Sequence, residues 1–188
     1  MMHPNHKQIQ NISDFEGCYV FDSILYEDDR GSFQESFNQQ KFEDNISKSV
    51  TFVQDNRSKS YLNVLRGLHF QYPSGQGKLV YVLSGEIYDV IVDLRKSSPT
   101  FGCWSSIFLS SARKQYLWVP EGFAHGFLSL SHNTEVLYKT TEFWKKSEEY
   151  TLMWNDPAIN IDWMLKGQVQ LSSKDKQGKL FSELPMFD

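Results

Sequence analysis

Cysteine is nearly absent: Cys18 and Cys103 are the only two in 188 residues. So distant a pair supports neither a disulfide framework nor a thiolate zinc site, and both read as reduced, packed thiols of a cytoplasmic protein. Long apolar runs are missing too. No stretch approaches the roughly 20 residues a membrane-spanning helix needs, and residues 1–11 are polar, so neither a membrane span nor a secretory leader is expected. A basic surplus is also lacking: 19 Lys and Arg stand against 23 Asp and Glu, for a net charge of −4. General binding to nucleic acid or to a membrane surface is therefore not expected, and any anionic ligand must be met by a local group of basic residues. There is no internal repeat, low-complexity tract or linker, so residues 1–188 are expected to form one domain large enough to bury a core. What is present is apolar enough for that: 40% hydrophobic and 15% aromatic, a globular composition and not a disordered one.

The pattern along the chain is that of strands. Residues 79–83 and 86–94 flank Ser84-Gly85 and read as a hairpin with a tight turn. The second arm is rich in β-branched residues and keeps Asp89 and Asp93 to alternating positions, as on a strand with one polar face. Further strands are expected at 49–56, 63–71, 102–110, 115–119, 126–130 and 134–143, with turn residues between them. Such spacing implies an all-β antiparallel sandwich or barrel. Residues 37–45 fit one short helix, and the tail from Asn155 fits loops and short helical turns.

Two segments carry candidate chemistry. Arg66-Gly67-Leu68-His69-Phe70-Gln71 and Pro120-Glu121-Gly122-Phe123-Ala124-His125-Gly126-Phe127 each set one His in an apolar, strand-like run. The unperturbed pKa of histidine lies nearest neutrality, which suits a general acid or base. Arg66 lies three residues upstream of His69, and Gly67 between them allows close approach to a ligand. Together these imply a cleft for an anionic substrate with a proton-transfer group inside. Asp89 and Asp93 read as strand-surface or structural carboxylates outside the site. His3, His6 and His132, in polar or terminal context, read as incidental.

A longer series of motifs gives a specific resemblance. It includes Asp29-Arg30-Gly31-Ser32-Phe33-Gln34-Glu35, Gln54-Asp55-Asn56, Leu65-Arg66-Gly67-Leu68-His69-Phe70-Gln71 and Gln76-Gly77-Lys78-Leu79-Val80. It continues through Tyr138-Lys139-Thr140-Thr141, Trp154-Asn155-Asp156-Pro157 and Leu171-Ser172-Ser173-Lys174-Asp175. In this order and spacing the sequence resembles the dTDP-4-dehydrorhamnose 3,5-epimerase family, the RmlC-type nucleotide-sugar epimerases of the cupin superfamily. The resemblance implies a cupin-like jelly-roll β-barrel with short flanking helices, a homodimer, and a dTDP-linked sugar as substrate. No cofactor and no metal are implied, because a 4-keto sugar acidifies its own C3–H and C5–H bonds. His69 maps to the base, Tyr138 to the acid, Asp175 to the carboxylate that orients the His, and Lys78 to the cation near the enolate oxygen, with Arg66 placed close by. Arg30, Arg66 and Lys174 map to positions lining the nucleotide-sugar cleft, and Phe33 to an aromatic beside the nucleotide. Glu35, Gln54, Asn56, His125 and Glu149 map to further substrate contacts.

Two departures stand out. Where many members stack a Tyr on thymine, this chain has Glu142-Phe143-Trp144, and spacing from Tyr138 assigns stacking to Trp144. Tyr81 stands where Arg is common. The alternatives are an epimerase for one carbon only or for another nucleotide sugar, a metal-dependent cupin, and a non-catalytic sugar binder. Metal cupins usually present two His one residue apart; here Gly67 and Gln71 flank His69 at those positions.

Overall fold

The computed structural model describes residues 8–188, so His3 and His6 lie outside the described residues. Twelve strands are present among them: β1 Tyr19–Asp22, β2 Leu25–Asp28, β3 Gly31–Gln34, β4 Gln54–Ser60, β5 Leu65–Gln71, β6 Lys78–Ser84, β7 Glu86–Asp93, β8 Trp104–Ser110, β9 Gln115–Val119, β10 Phe123–Ser129, β11 Thr134–Thr140 and β12 Glu149–Thr151. One α-helix, α1 at Gln39–Ile46, is capped by the Asn38 side chain on the Lys41 N–H. One sheet has the order β1-β9-β6-β11-β4 and the other β12-β5-β10-β7-β8, every pair antiparallel; β2 and β3 form a separate hairpin. This is the all-β, jelly-roll type of arrangement expected from the sequence.

Three apolar clusters explain the layering. Ile87, Ile91, Phe123 and Phe127 meet Val80, Val82, Leu117 and Val136 between the two sheets. The outer face of the second sheet, with Val90, Val92, Leu68 and Leu128, is covered by Leu152, Ile159, Trp163, Phe181 and Leu184. α1 covers the outer face of the first sheet, where Phe42 and Ile46 meet Leu79 and Trp118. β7 is thus buried on both faces, and Asp89 and Asp93 are both fully buried. Of the expected strand-surface or structural roles the surface one is overturned, because Asp89 and Asp93 share the face of Ile87 and Ile91, which is turned toward the other sheet.

The 84–85 turn is tight, but it does not close a hairpin. β6 pairs with β9 and β11, whereas β7 pairs with β8 and β10, so the turn passes the chain from one sheet to the other. Gly85 has φ +81, and a Cβ there would lie 2.3 Å from the Ser131 hydroxyl oxygen.

The C-terminal segment is strapped to the second sheet. Leu152 N–H donates to the Leu68 carbonyl at 2.9 Å and Lys179 N–H to the Thr151 carbonyl at 2.9 Å. The buried Asp156 accepts from the N–H groups of Ala158, Ile159 and Phe181 at 2.8, 3.0 and 2.7 Å. Cys18 and Cys103 are both buried, and no helix among the described residues is long and apolar enough to cross a membrane.

Candidate active site

A bulge on β5 aims the first His segment. His125 pairs with His69 and Phe127 with Arg66, so two residues of β5, Gly67 and Leu68, oppose the single Gly126 of β10. Arg66 and His69, three apart, consequently share the face turned toward the other sheet. The extra residue is accommodated at Gly67, with φ +124, where a Cβ would lie 2.6 Å from Gly126 Cα. Gly67 therefore serves close packing of backbone on backbone, not the close approach to a ligand expected from the sequence.

The shared face opens into a cleft of about 470 Å³ between the two sheets. On the β5 wall, His69 Nε2 lies 2.6 Å from Asp175 Oδ1. Asp175 is 3% exposed, and its other oxygen accepts from the Ser172 hydroxyl at 2.8 Å. Burial alone would raise the Asp175 carboxyl, but the hydrogen bond and charge of His69 hold it below the usual carboxylate range. The carboxylate therefore accepts, Nε2 donates, and Nδ1 is the ring nitrogen with a free lone pair. On the facing sheet stands Tyr138, opposite Asn56 and Val80 in register. Its hydroxyl is pushed up by burial, against the lowering charge of Arg66, and so stays protonated at neutral pH.

Lys78 at the start of β6 is 7% exposed and makes no ion pair among the described residues. Burial pushes its ammonium down to about 8, although Glu149 and Asp89 pull it back toward the charged form. Next to it is a second His–carboxylate pair. His125 Nε2 lies 2.9 Å from both oxygens of the fully buried Asp89, whose carboxyl is raised by burial despite His125. The cleft mouth is basic and aromatic. Arg66, exposed, is held by the Ser60 hydroxyl at 2.9 Å and the Lys59 carbonyl at 3.0 Å. Lys174 pairs with Glu149 at 2.8 Å, and the Trp144 indole N–H bears on that same Glu149. Each cleft imidazole is committed to its own carboxylate, and among the described residues no group of three or more His, Cys, Asp or Glu side chains is arranged to hold a metal ion.

Comparison with known proteins gives the family. The sequence profile described as dTDP-4-dehydrorhamnose 3,5-epimerase matches residues 13–183. The chain belongs to this family. It is 51% identical over 168 residues to the dTDP-4-dehydrorhamnose 3,5-epimerase of Pseudomonas aeruginosa, covering 89% of this chain and 93% of that protein. Among solved structures it is similar to RmlC from Legionella pneumophila in complex with dTDP-4-keto-L-rhamnose, at a TM-score of 0.87 and 44% identity, covering 90% of each chain. It is also similar to ChmJ, a 3'-monoepimerase from Streptomyces bikiniensis in complex with dTDP-quinovose, at a TM-score of 0.84 and 27% identity, covering 89% of this chain and 85% of that one.

Of the residues that the family motifs single out, His69, Tyr138, Asp175, Lys78, Gln54, Asn56, Arg66, His125, Trp144, Glu149 and Lys174 all line the one cleft. Arg66 and Lys78 occupy different depths, the first exposed at the rim and the second buried. Arg30, Phe33 and Glu35 do not line it. Arg30 and Phe33 sit on the exposed β2–β3 hairpin, where Arg30 pairs with Asp28 at 2.6 Å, and Glu35 pairs with Lys41 at 2.7 Å. Tyr81 faces away from the cleft; its ring stacks on Tyr116 at 4.3 Å and its hydroxyl donates to Gln34. Phe143 and Trp144 lie in a loop beyond β11, not on the strand expected to reach residue 143, and Trp144 alone of the two lines the cleft. Sequence reasoning missed Asp89 and the cleft-lining Gln71 and Gln76. Only the alternation of Asp89 with Ile87 and Ile91 could have signalled an inward carboxylate.

Proposed function

We propose that the chain epimerises C3 and C5 of a dTDP-linked 4-keto-6-deoxy sugar, taking dTDP-4-dehydro-6-deoxyglucose to dTDP-4-dehydrorhamnose. The supporting observation is the placement of two proton-handling groups on opposite walls of one cleft, His69 with its buried carboxylate on one sheet and Tyr138 on the other. Inverting a carbon requires loss of a proton from one face and its return to the other. In this reading His69 Nδ1 takes the C–H proton, and the electron pair of that bond moves into an enolate on the sugar. Asp175 stabilises the imidazolium that forms. Lys78, cationic below about pH 8, lies in the low-dielectric floor where it offsets the enolate charge most effectively. Tyr138 then returns a proton from the opposite face as the enolate collapses to the ketone. Arg66 and Lys174 at the rim meet the pyrophosphate, and Trp144 stacks on the base. The test is incubation with dTDP-4-dehydro-6-deoxyglucose and NMR of the product, which should carry inverted configuration at both carbons. Inversion at C3 alone would assign a mono-epimerase.

We also infer a homodimer in the cytoplasm. Ile24, just before the β2–β3 hairpin, and Tyr26 and Phe33 within it are exposed at 67%, 59% and 70%, an apolar surface that a monomer would leave in water. Arg30 and Phe33 match substrate-contacting positions yet stand outside their own cleft, so a second copy's cleft is their fitting destination. Cys18 and Cys103 are both buried thiols, which suits a reducing compartment.

A further inference from the structure

The loop that presents Trp144 is held by side chains from outside it. Gln76 Nε2 donates to the Glu142 carbonyl at 2.7 Å. Gln71, buried, donates through Nε2 to the Phe143 carbonyl at 3.2 Å and accepts from the Lys145 N–H at 2.7 Å. Gln54 Oε1 accepts from the Trp144 N–H at 3.1 Å. Four consecutive residues, 142 to 145, thus each have a backbone group bound to a glutamine. The three glutamines come from β4, from the end of β5 and from the turn before β6. A primary amide supplies a donor and an acceptor at one site, so it can dock a loop backbone as a neighbouring strand would.

We propose that Gln71 and Gln76, with Gln54, are positioning residues for nucleotide recognition: together they fix the loop so that Trp144, and not Phe143, is presented to the cleft. The inference rests on the reading of Trp144 as the base-stacking aromatic. Both aromatics are more than half exposed, at 53% for Trp144 and 58% for Phe143, so burial does not choose between them. The glutamine contacts do. Gln71 also lies two residues beyond His69 on β5 and opposite Glu149 in register. Its side chain therefore shares the face of His69, and the strand that carries the proposed base also sets the nucleotide loop.

The test uses Gln76→Glu and Gln71→Glu. Each replacement keeps shape but puts a carboxylate oxygen against a carbonyl oxygen. Gln76 is only half-buried, so Gln76→Glu carries the test if the buried Gln71→Glu fails to fold. Calorimetry with dTDP should show affinity about five- to tenfold weaker, the worth of a lost hydrogen bond. KM should rise by the same factor with kcat within about twofold, because the proton-transfer groups are untouched. Acrylamide quenching should change as well, since Trp104, Trp118 and Trp163 are buried and Trp144 is the most accessible indole. In a Trp144→Ala background the glutamine change should add no further loss. If Trp144→Ala weakens dTDP binding while the glutamine variants bind and quench as wild type, the positioning role is overturned. Losses that add fully to that of Trp144→Ala would put the glutamines in direct contact with the nucleotide and overturn it equally. If Trp144→Ala itself binds dTDP as wild type, the stacking role falls, and with it the premise on which the glutamine roles rest.

Discussion

Replacing Asp175 by Asn changes one group in the cleft and leaves its shape. The carboxylate is 3% exposed and 2.6 Å from His69 Nε2, so its contact with the imidazolium is charge-assisted and little screened. Such a bond is worth about 1.5–3 kcal/mol, which slows imidazolium formation about ten- to 150-fold. The amide adds a second effect. If Asn Oδ1 keeps the hydrogen bond from Ser172, its NH₂ faces Nε2, and the imidazole must then carry its proton on Nδ1, the atom that has to receive one. The loss should therefore fall at the upper end, on the order of a hundredfold. The assay is the rate of deuterium wash-in at C3 and C5 of the 4-keto sugar nucleotide in D₂O, followed by NMR. Stability gives a second check. The native Asp175 carboxyl is held below its usual value by His69. Its contribution to folding is therefore fully present above the unfolded pKa of about 3.9 and is lost as pH falls through the lower native value. The Tm gap between wild type and Asp175→Asn should be open at pH 7 and close in strong acid. Wash-in within threefold of wild type would refute the reasoning, because His69 would then work without its carboxylate.

Three other outcomes are expected. Tyr138→Phe should lose net inversion while retaining part of the deuterium exchange, since only return of the proton to the opposite face is removed; equal loss of both would reassign Tyr138 to positioning. Lys78→Met should stabilise the fold by on the order of 1–3 kcal/mol at pH 7 while abolishing turnover. Burial holds the Lys78 ammonium near 8 against about 10.4 in the unfolded chain, so the unfolded state binds more protons between those values, wild-type stability rises with pH there, and the variant should lack that rise in denaturant titrations. Arg30→Ala and His69→Asn, each inactive alone, should recover activity when co-refolded as mixed dimers, and sedimentation should show two copies; no recovery would leave the hairpin outside its partner's cleft.

Much of the site was legible because its residues stand in contiguous motifs, and the rest was hidden by non-local pairing. β4 was expected at 49–56 but runs Gln54–Ser60. Its inward residues Gln54, Asn56 and Ser58 line a polar cleft, so no apolar alternation marks it. The 84–85 turn is tight as expected, yet which sheet each arm joins depends on β9, β10 and β11. Asp89 reads as a surface acid because Tyr88, Val90 and Val92 form the more apolar face of β7, whereas its own face, with Ile87 and Ile91, is covered by the other sheet, whose strands come from distant parts of the chain. The glutamine contacts of the 142–145 loop join three elements, and no local pattern encodes that meeting.

The central claim is that one base on one wall and one acid on the other invert two carbons through an enolate. It is tested most directly by counting deuterium in the product formed in D₂O by wild type and by His69→Asn. Wild type should place deuterium at both C3 and C5 and His69→Asn at neither, with dTDP affinity retained. Incorporation by His69→Asn at the wild-type rate, or inverted product that carries no solvent deuterium, would contradict it.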